Sequence, residues 1–178
     1  MKEYGGTPHA YSRDGTPNGY SIVSFDGNQY TFQFKAAGRP ADYQMHISAP
    51  NQVAAGDKEA SAYVNIFSGS TKTAVTAVLR NAKGKETELP TKHVPDQPDP
   101  DYVKLFEAEE KLRQLVGKEV DWLKMSNPIP ADHLWMATLP STLKEGLYTI
   151  EFRATQADGS HYVGLRSIRI VKQNQDGQ

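Results

Sequence analysis

Residues 20 to 25 and 29 to 35 alternate between apolar and polar positions, with Tyr30, Phe32 and Phe34 on one side and Thr31, Gln33 and Lys35 on the other. A period of two predicts strands, the second half-buried, and Asp26-Gly27-Asn28 between them tolerates the positive φ of a tight hairpin turn. "DYQMHIS" repeats the alternation through Tyr43, Met45 and Ile47, and "AYVNIFSGS" and "TAVTAVLRN" are two further β-rich runs. The chain then turns at Lys83-Gly84-Lys85 into a short polar strand.

The period changes in "HVPDQPDPDYVKLFEAEEKLRQLVGKEV". Asp99 suits a helix N-cap, Pro100 a first turn and Gly117 a stop, which predicts one helix over about 100–116. Leu105, Ala108, Leu112, Leu115 and Val116 form its apolar stripe, opposed by Lys104, Glu107, Lys111 and Arg113. The strongest β signal follows in "GLYTIEFRATQADGSHYVGLRSIRIV", where Tyr148, Ile150, Phe152 and Ala154 share a face. A change of parity between Leu165 and Ile168 predicts a bulge there. Eight or nine regularly spaced strands with one helix in a connection predict a mainly β fold: an antiparallel immunoglobulin-like β-sandwich with an inserted amphipathic helix and a leading hairpin.

Composition narrows the function classes. The chain has 178 residues, 38% hydrophobic and 23% charged, which suits one soluble domain with a substantial core. Twenty basic against 21 acidic residues leave a net charge of -1, so no overall field favours nucleic acid or an anionic membrane. Cysteine is absent, which removes disulfides, thiolate nucleophiles and cysteine-ligated metals. No apolar run suggests a membrane helix, and "MKEYGGTPHAYSRDGTPNG" lacks a signal-peptide centre; it opens in mid-loop, as a piece of a longer protein would.

Candidate chemistry is sparse. The histidines at 9, 46, 93, 133 and 161 form no local metal-ligand pair. His46 falls on the polar face of its strand and His161 beside a turn, and both read as solvated. Asp96, Asp99 and Asp101 lack the glycine and distal glutamate of a calcium loop and read as helix-capping residues. Asp14 and Asn18 read as turn residues. No nucleophile elbow or phosphate-cradling loop is found. Trp122, Trp135, Tyr102, Tyr148 and Tyr162 read as core or interface-rim residues, with a sugar- or base-stacking platform as the rival reading.

"DGTPNGYSIVSFDGNQYTFQFKAAGRPADYQMHI", Asp14 to Ile47, resembles the start of the C-terminal domain of calcineurin-like phosphoesterases of Bacteroidetes type, most of all in "DGTPNGY" and "KAAGRPADYQM". "GLYTIEFRATQADGSHYVGLRSIRIV" is similar to the closing hairpin of that module. The resemblance implies a non-catalytic accessory module that packs on a catalytic phosphoesterase domain of the same polypeptide. The two divalent metals belong to that domain, because Asp-x-His, Gly-Asp-x-x-Asp, Gly-Asn-His-Asp/Glu and Gly-His-x-His do not occur here. No catalytic residue, cofactor or metal is therefore expected in this chain, and neither nucleic-acid binding nor membrane insertion.

The implied division is a segment and hairpin over 1–38 at the junction, a sandwich over 39–172 and a polar tail over 173–178. Arg39, Asp42 and Tyr43 are the expected interdomain seam, with turn stabilisation as the plain alternative for Arg39 and Asp42. The exposed hairpin is expected to allow self-association, and the parent protein is expected in the periplasm or at the cell surface. The rival function is a β-sandwich that binds carbohydrate or a cell-envelope polymer by stacking on Trp135.

Overall fold

The computed structural model of the chain describes residues 11–117 and 124–172. His9 and Trp122, the first ten residues and the tail from 173 lie outside them.

Among the described residues eleven strands and one helix follow in order: β1 (Gly19–Asp26), β2 (Gln29–Ala36), β3 (Met45–Ser48), β4 (Gln52–Ala54), β5 (Ser61–Ile66), β6 (Ala74–Asn81), β7 (Glu86–Leu89), β8 (Thr91–His93), α1 (Pro100–Val116), β9 (Leu134–Thr138), β10 (Gly146–Thr155) and β11 (His161–Val171). The expected sandwich forms from a five-stranded sheet ordered β4-β11-β10-β6-β7 and a four-stranded sheet ordered β3-β5-β9-β8. The pairs are antiparallel except β4 with β11, which run parallel over Gln52–Ala54 and Arg169–Val171.

Period-two alternation builds the core. Ile150, Phe152 and Ala154 of β10, with Ile168 and Ile170 of β11, meet Val64, Ile66, Trp135 and Ala137 of the facing sheet in one apolar cluster. Burying side chains of this size supplies about 1.5–3 kcal/mol each, the main favourable contribution to folding. The register of β10 on β11 is unbroken from Gly146↔Ile170 to Thr155↔His161, so the expected bulge does not form. Inward parity is kept through Gly164, and the apolar Val163 and Leu165 point outward and are exposed. Gly164 is required there by packing: a Cβ at that position would lie 2.7 Å from Met45 Sδ and 3.0 Å from Ile47 Cδ1.

The outer face of the four-stranded sheet is covered by residues of the segments 94–102 and 131–133 and by residues 13–17. Val94, Ala131 and Leu134 form a second apolar cluster there, with Tyr63 and Met136 against it. Helix α1 begins as expected, with Asp99 accepting from the backbone amides of Asp101 and Tyr102 and Pro100 in the first turn. It also ends as expected, with Gly117 donating to Arg113 O.

The helix's apolar stripe is not its packed face. Tyr102 is its buried residue, whereas Leu112 and Val116 are exposed and Leu115 is 84% exposed. Polar anchors set the helix's rotation instead. Asn65 donates to the cap residue Asp99, His46 pairs with Asp101, and Glu109 accepts the backbone amide of Met125.

Candidate functional site

Hairpin β1–β2 projects beside the sandwich, most of its residues exposed. Its register, Phe25↔Tyr30 and Val23↔Phe32 down to Gly19↔Ala36, puts Val23, Phe25, Tyr30, Phe32 and Phe34 on one face and Tyr20 and Ile22 on the other. At the base, Phe34 and Ala36 are buried with Phe67, and the two phenyl rings meet edge-on at 5.4 Å. Toward the tip this burial is lost, and Phe25 is 77% exposed. The half-buried β2 expected from the alternation therefore holds only at its last turn, because a two-stranded ribbon has no second layer to cover Tyr30 and Phe32.

The base is held by Gln44, which is buried and donates through Nε2 to Phe34 O at 2.6 Å and Ala41 O at 2.7 Å. The expected seam residues sit on this support. Arg39 lies over the Tyr43 ring at 5.3 Å, and that ring packs on Phe67 at 5.2 Å. Asp42 is exposed in the same turn, and its carbonyl accepts the Gln44 amide.

Tyr43 continues into a polar chain. Its hydroxyl lies 3.3 Å from His46 Nδ1, His46 Nε2 lies 2.9 Å from Asp101 Oδ2, and Lys104 reaches Asp101 Oδ1 at 2.9 Å. His46 is thus partnered and half-buried, a correction to its solvated reading. Burial pushes the Tyr43 hydroxyl above its ordinary pKa of 10.0. Burial works to raise the Asp101 carboxyl, but hydrogen bonds from His46, Lys104 and Ser48 prevail and hold it well below the usual carboxylate range.

A second network fastens residues 13–17. Asn65 is 1% exposed and donates through Nδ2 to Asp14 O and Asp99 Oδ2, both at 2.9 Å. With both amide hydrogens engaged, its oxygen accepts from His133 Nδ1 at 2.7 Å, and His133 Nε2 lies 3.4 Å from Asp14 Oδ2. The His133 hydrogen bond is the largest influence on Asp14 and holds its carboxyl at about 2, against an ordinary 3.8. Gly15 has φ +83°, and a Cβ there would lie 2.4 Å from Asp99 Cγ, so the Asp-Gly pair of "RDGTPNG" lets the backbone press on the helix cap. Residues 13–17 are thus bonded to the sandwich, and the hairpin touches it again at Phe32, whose amide reaches the Asp158 carboxylate.

Trp135 is 5% exposed, which agrees with its core reading and removes the rival platform. Its ring stacks on His93 at 4.6 Å, and a Cβ at Gly69 would lie 2.9 Å from it, so neither solvent nor a sugar has access. Among the described residues no group of three or more His, Cys, Asp or Glu is placed to hold a metal ion. The residues present do not fit a dimetal centre.

Between the hairpin and the sandwich runs an open cleft of about 810 Å³. Phe25, Tyr30 and Phe32 line its hairpin side, and Ser68, Ser70, Gln156 and Asp158 its sandwich side. Sequence reasoning missed this site, because the two banks come from segments far apart in the chain.

The family described as "C terminal of Calcineurin-like phosphoesterase" matches residues 1–162, hairpin and sandwich together. No curated protein matches the chain. Among solved structures, CopC from Methylosinus trichosporium OB3b is similar at 17% identity and TM-score 0.42, over 72% of this chain and 89% of that one. The methionine-rich copper resistance protein PcoC from Escherichia coli is similar at 14% identity and TM-score 0.35, over 69% and 89%. A family 123 glycoside hydrolase from Clostridium perfringens is similar at 10% identity and TM-score 0.34, over 72% of this chain and 27% of that one.

Proposed function

Because the chain belongs to the C-terminal domains of calcineurin-like phosphoesterases, we propose that it is a non-catalytic accessory module that packs on the catalytic domain of its own polypeptide and supports it. The observation that carries this reading is the hairpin: fixed at its base by Phe34, Ala36 and Gln44, it holds Tyr20 and Ile22 exposed and outside the cleft lining. A rigid ribbon with apolar residues in water is better satisfied against a neighbouring domain than alone. Arg39, stacked on Tyr43, adds a cation beside that surface, and Asp42 a carboxylate. These three residues form the polar rim of the seam.

In this reading the two divalent metals and the water they activate belong to the catalytic domain, and this chain makes no bond. In the separated chain the same hairpin surface is open to a second copy. The parent protein works in the periplasm or at the cell surface, which a leader peptide at the start of its reading frame tests.

The decisive experiment uses the complete phosphoesterase. Ile22→Asp and Tyr20→Asp should lower the melting temperature of the catalytic domain while leaving this module folded; an unchanged melting temperature would count against docking. Metal-dependent turnover of a generic phosphoester by the present chain alone, supplied with manganese or zinc, would overturn the non-catalytic reading.

A further inference from the structure

We propose that the cleft between hairpin β1–β2 and the sandwich is a carbohydrate site that takes a neutral oligosaccharide. The proposal does not rest on docking to a catalytic domain, for which the contacts are Tyr20 and Ile22, residues outside the cleft lining.

The two banks of the cleft differ in chemistry. On the hairpin side Phe25 and Tyr30 are cross-strand partners with ring centroids 6.3 Å apart and planes tilted by 46°, a bent aromatic ledge continued by Phe32. Exposed rings in a concave site present flat apolar faces, and the C–H face of a pyranose is a flat apolar surface of similar size. On the sandwich side the groups are short, polar and held in place. Gln156 donates to Ser68 Oγ at 3.2 Å and accepts from Thr73 Oγ1 at 2.7 Å, so its amide is clamped from both sides. Asp158 accepts the Ser160 amide at 2.9 Å and the backbone amide of Phe32, which fixes its carboxylate between the β10–β11 turn and the hairpin. Polar groups oriented before the ligand arrives lose little freedom on binding.

Charge selects among ligands. The lining residues include Asp158, amides and hydroxyls, and no lysine, arginine or histidine. Without a cation, a phosphate or a uronic acid would meet repulsion from the Asp158 carboxylate with nothing to offset it. Sugar hydroxyls donate to carboxylates and exchange hydrogen bonds with amides, so a neutral glycan satisfies both banks at once. The volume of about 810 Å³ accommodates a few sugar rings.

The test is a panel of neutral hexasaccharides (glucans, xylan, mannan and chitin oligomers) and their phosphorylated or uronic-acid counterparts, titrated calorimetrically into the whole chain. At least one neutral member is expected to bind, with affinity reduced tenfold or more by Tyr30→Ala and by Asp158→Asn. Both variants should keep the parent melting temperature, because Tyr30 is exposed and an asparagine can still accept the Ser160 amide. Three results would each overturn the proposal: no neutral glycan bound at millimolar concentration, binding undiminished in both variants, or an anionic glycan bound tenfold more tightly than its neutral counterpart.

Discussion

The Nδ1 atom of His133 lies 2.7 Å from the side-chain oxygen of Asn65, and this contact joins the return from the helical excursion to the central strand of the four-stranded sheet. Through Asn65 it also reaches Asp14 and the helix cap Asp99, so three separate segments share one buried side chain.

Asn65→Ala should therefore leave Asp99, the Asp14 carbonyl and His133 without that partner. Stranding buried polar groups costs about 1–3 kcal/mol each when water does not replace the bond. A loss of about 2–4 kcal/mol is expected by urea denaturation. Hydrogen exchange should rise first in residues 13–17 and in the first turn of α1, and a uniform rise across both sheets would contradict the assignment.

Acid should act through the same place. Asp14 is depressed in the folded state to about 2 from 3.8, and Asp101 is depressed as well. A carboxylate with a lowered folded pKa stabilises the fold fully above its unfolded pKa and ceases to do so as pH falls through the folded value. Stability should thus decline between about pH 4 and about pH 2. Asp14→Asn should flatten that decline, at the cost of lower stability at neutral pH. An acid limb as steep as the parent's would refute the assignment.

Gly164→Val should destabilise by about 1–3 kcal/mol, because the new side chain enters space held by Met45 and Ile47. Met45→Ala in the same chain should recover part of that loss, a coupling that a double-mutant cycle reads directly. Strict additivity of the two changes would show that the groups do not compete for one space.

Two of the three phenylalanines on the hairpin's cleft-facing side should separate cleanly. Phe34→Ala removes a buried ring from the base and should cost about 2–4 kcal/mol, whereas Phe25→Ala at the exposed tip should stay within about 0.5 kcal/mol. Exchange protection of β1 and β2 should fall only in the first variant.

What was legible in the sequence was local. Asp99, Pro100 and Gly117 act within one turn of their own backbone, and the alternation in Tyr148 to Ala154 needs only a sheet with one covered face. The resemblance carried by "DGTPNGY" and "KAAGRPADYQM" pointed to the family that matches residues 1–162. What stayed hidden was set at long range. Asn65 and His133 meet Asp14 across most of the chain, and neither has a neighbour in sequence that announces the contact. The stripe on α1 misled because periodicity reports which face is apolar, while Asp101 and Glu109 decided which face is held. Trp135 left two readings open in the sequence, core or stacking platform, and the packing that decides for the core comes from Gly69 and His93, distant in the chain.

The parallel pairing of β4 with β11 has a bearing on how the chain is made. β11 lies between β4 and β10, and β10 lies between β11 and β6, so the five-stranded sheet is joined through its two last-synthesised strands. A nascent chain that has emerged as far as residue 145 holds β4 and the β6–β7 pair with nothing to connect them, and Val53, Ala77 and Leu79 lack the neighbours that bury them. Closure waits until Arg169–Val171 leaves the ribosome and docks beside Gln52–Ala54. Until then the growing polypeptide presents β-rich apolar segments to its surroundings, the state in which unfinished chains associate wrongly or are captured by chaperones.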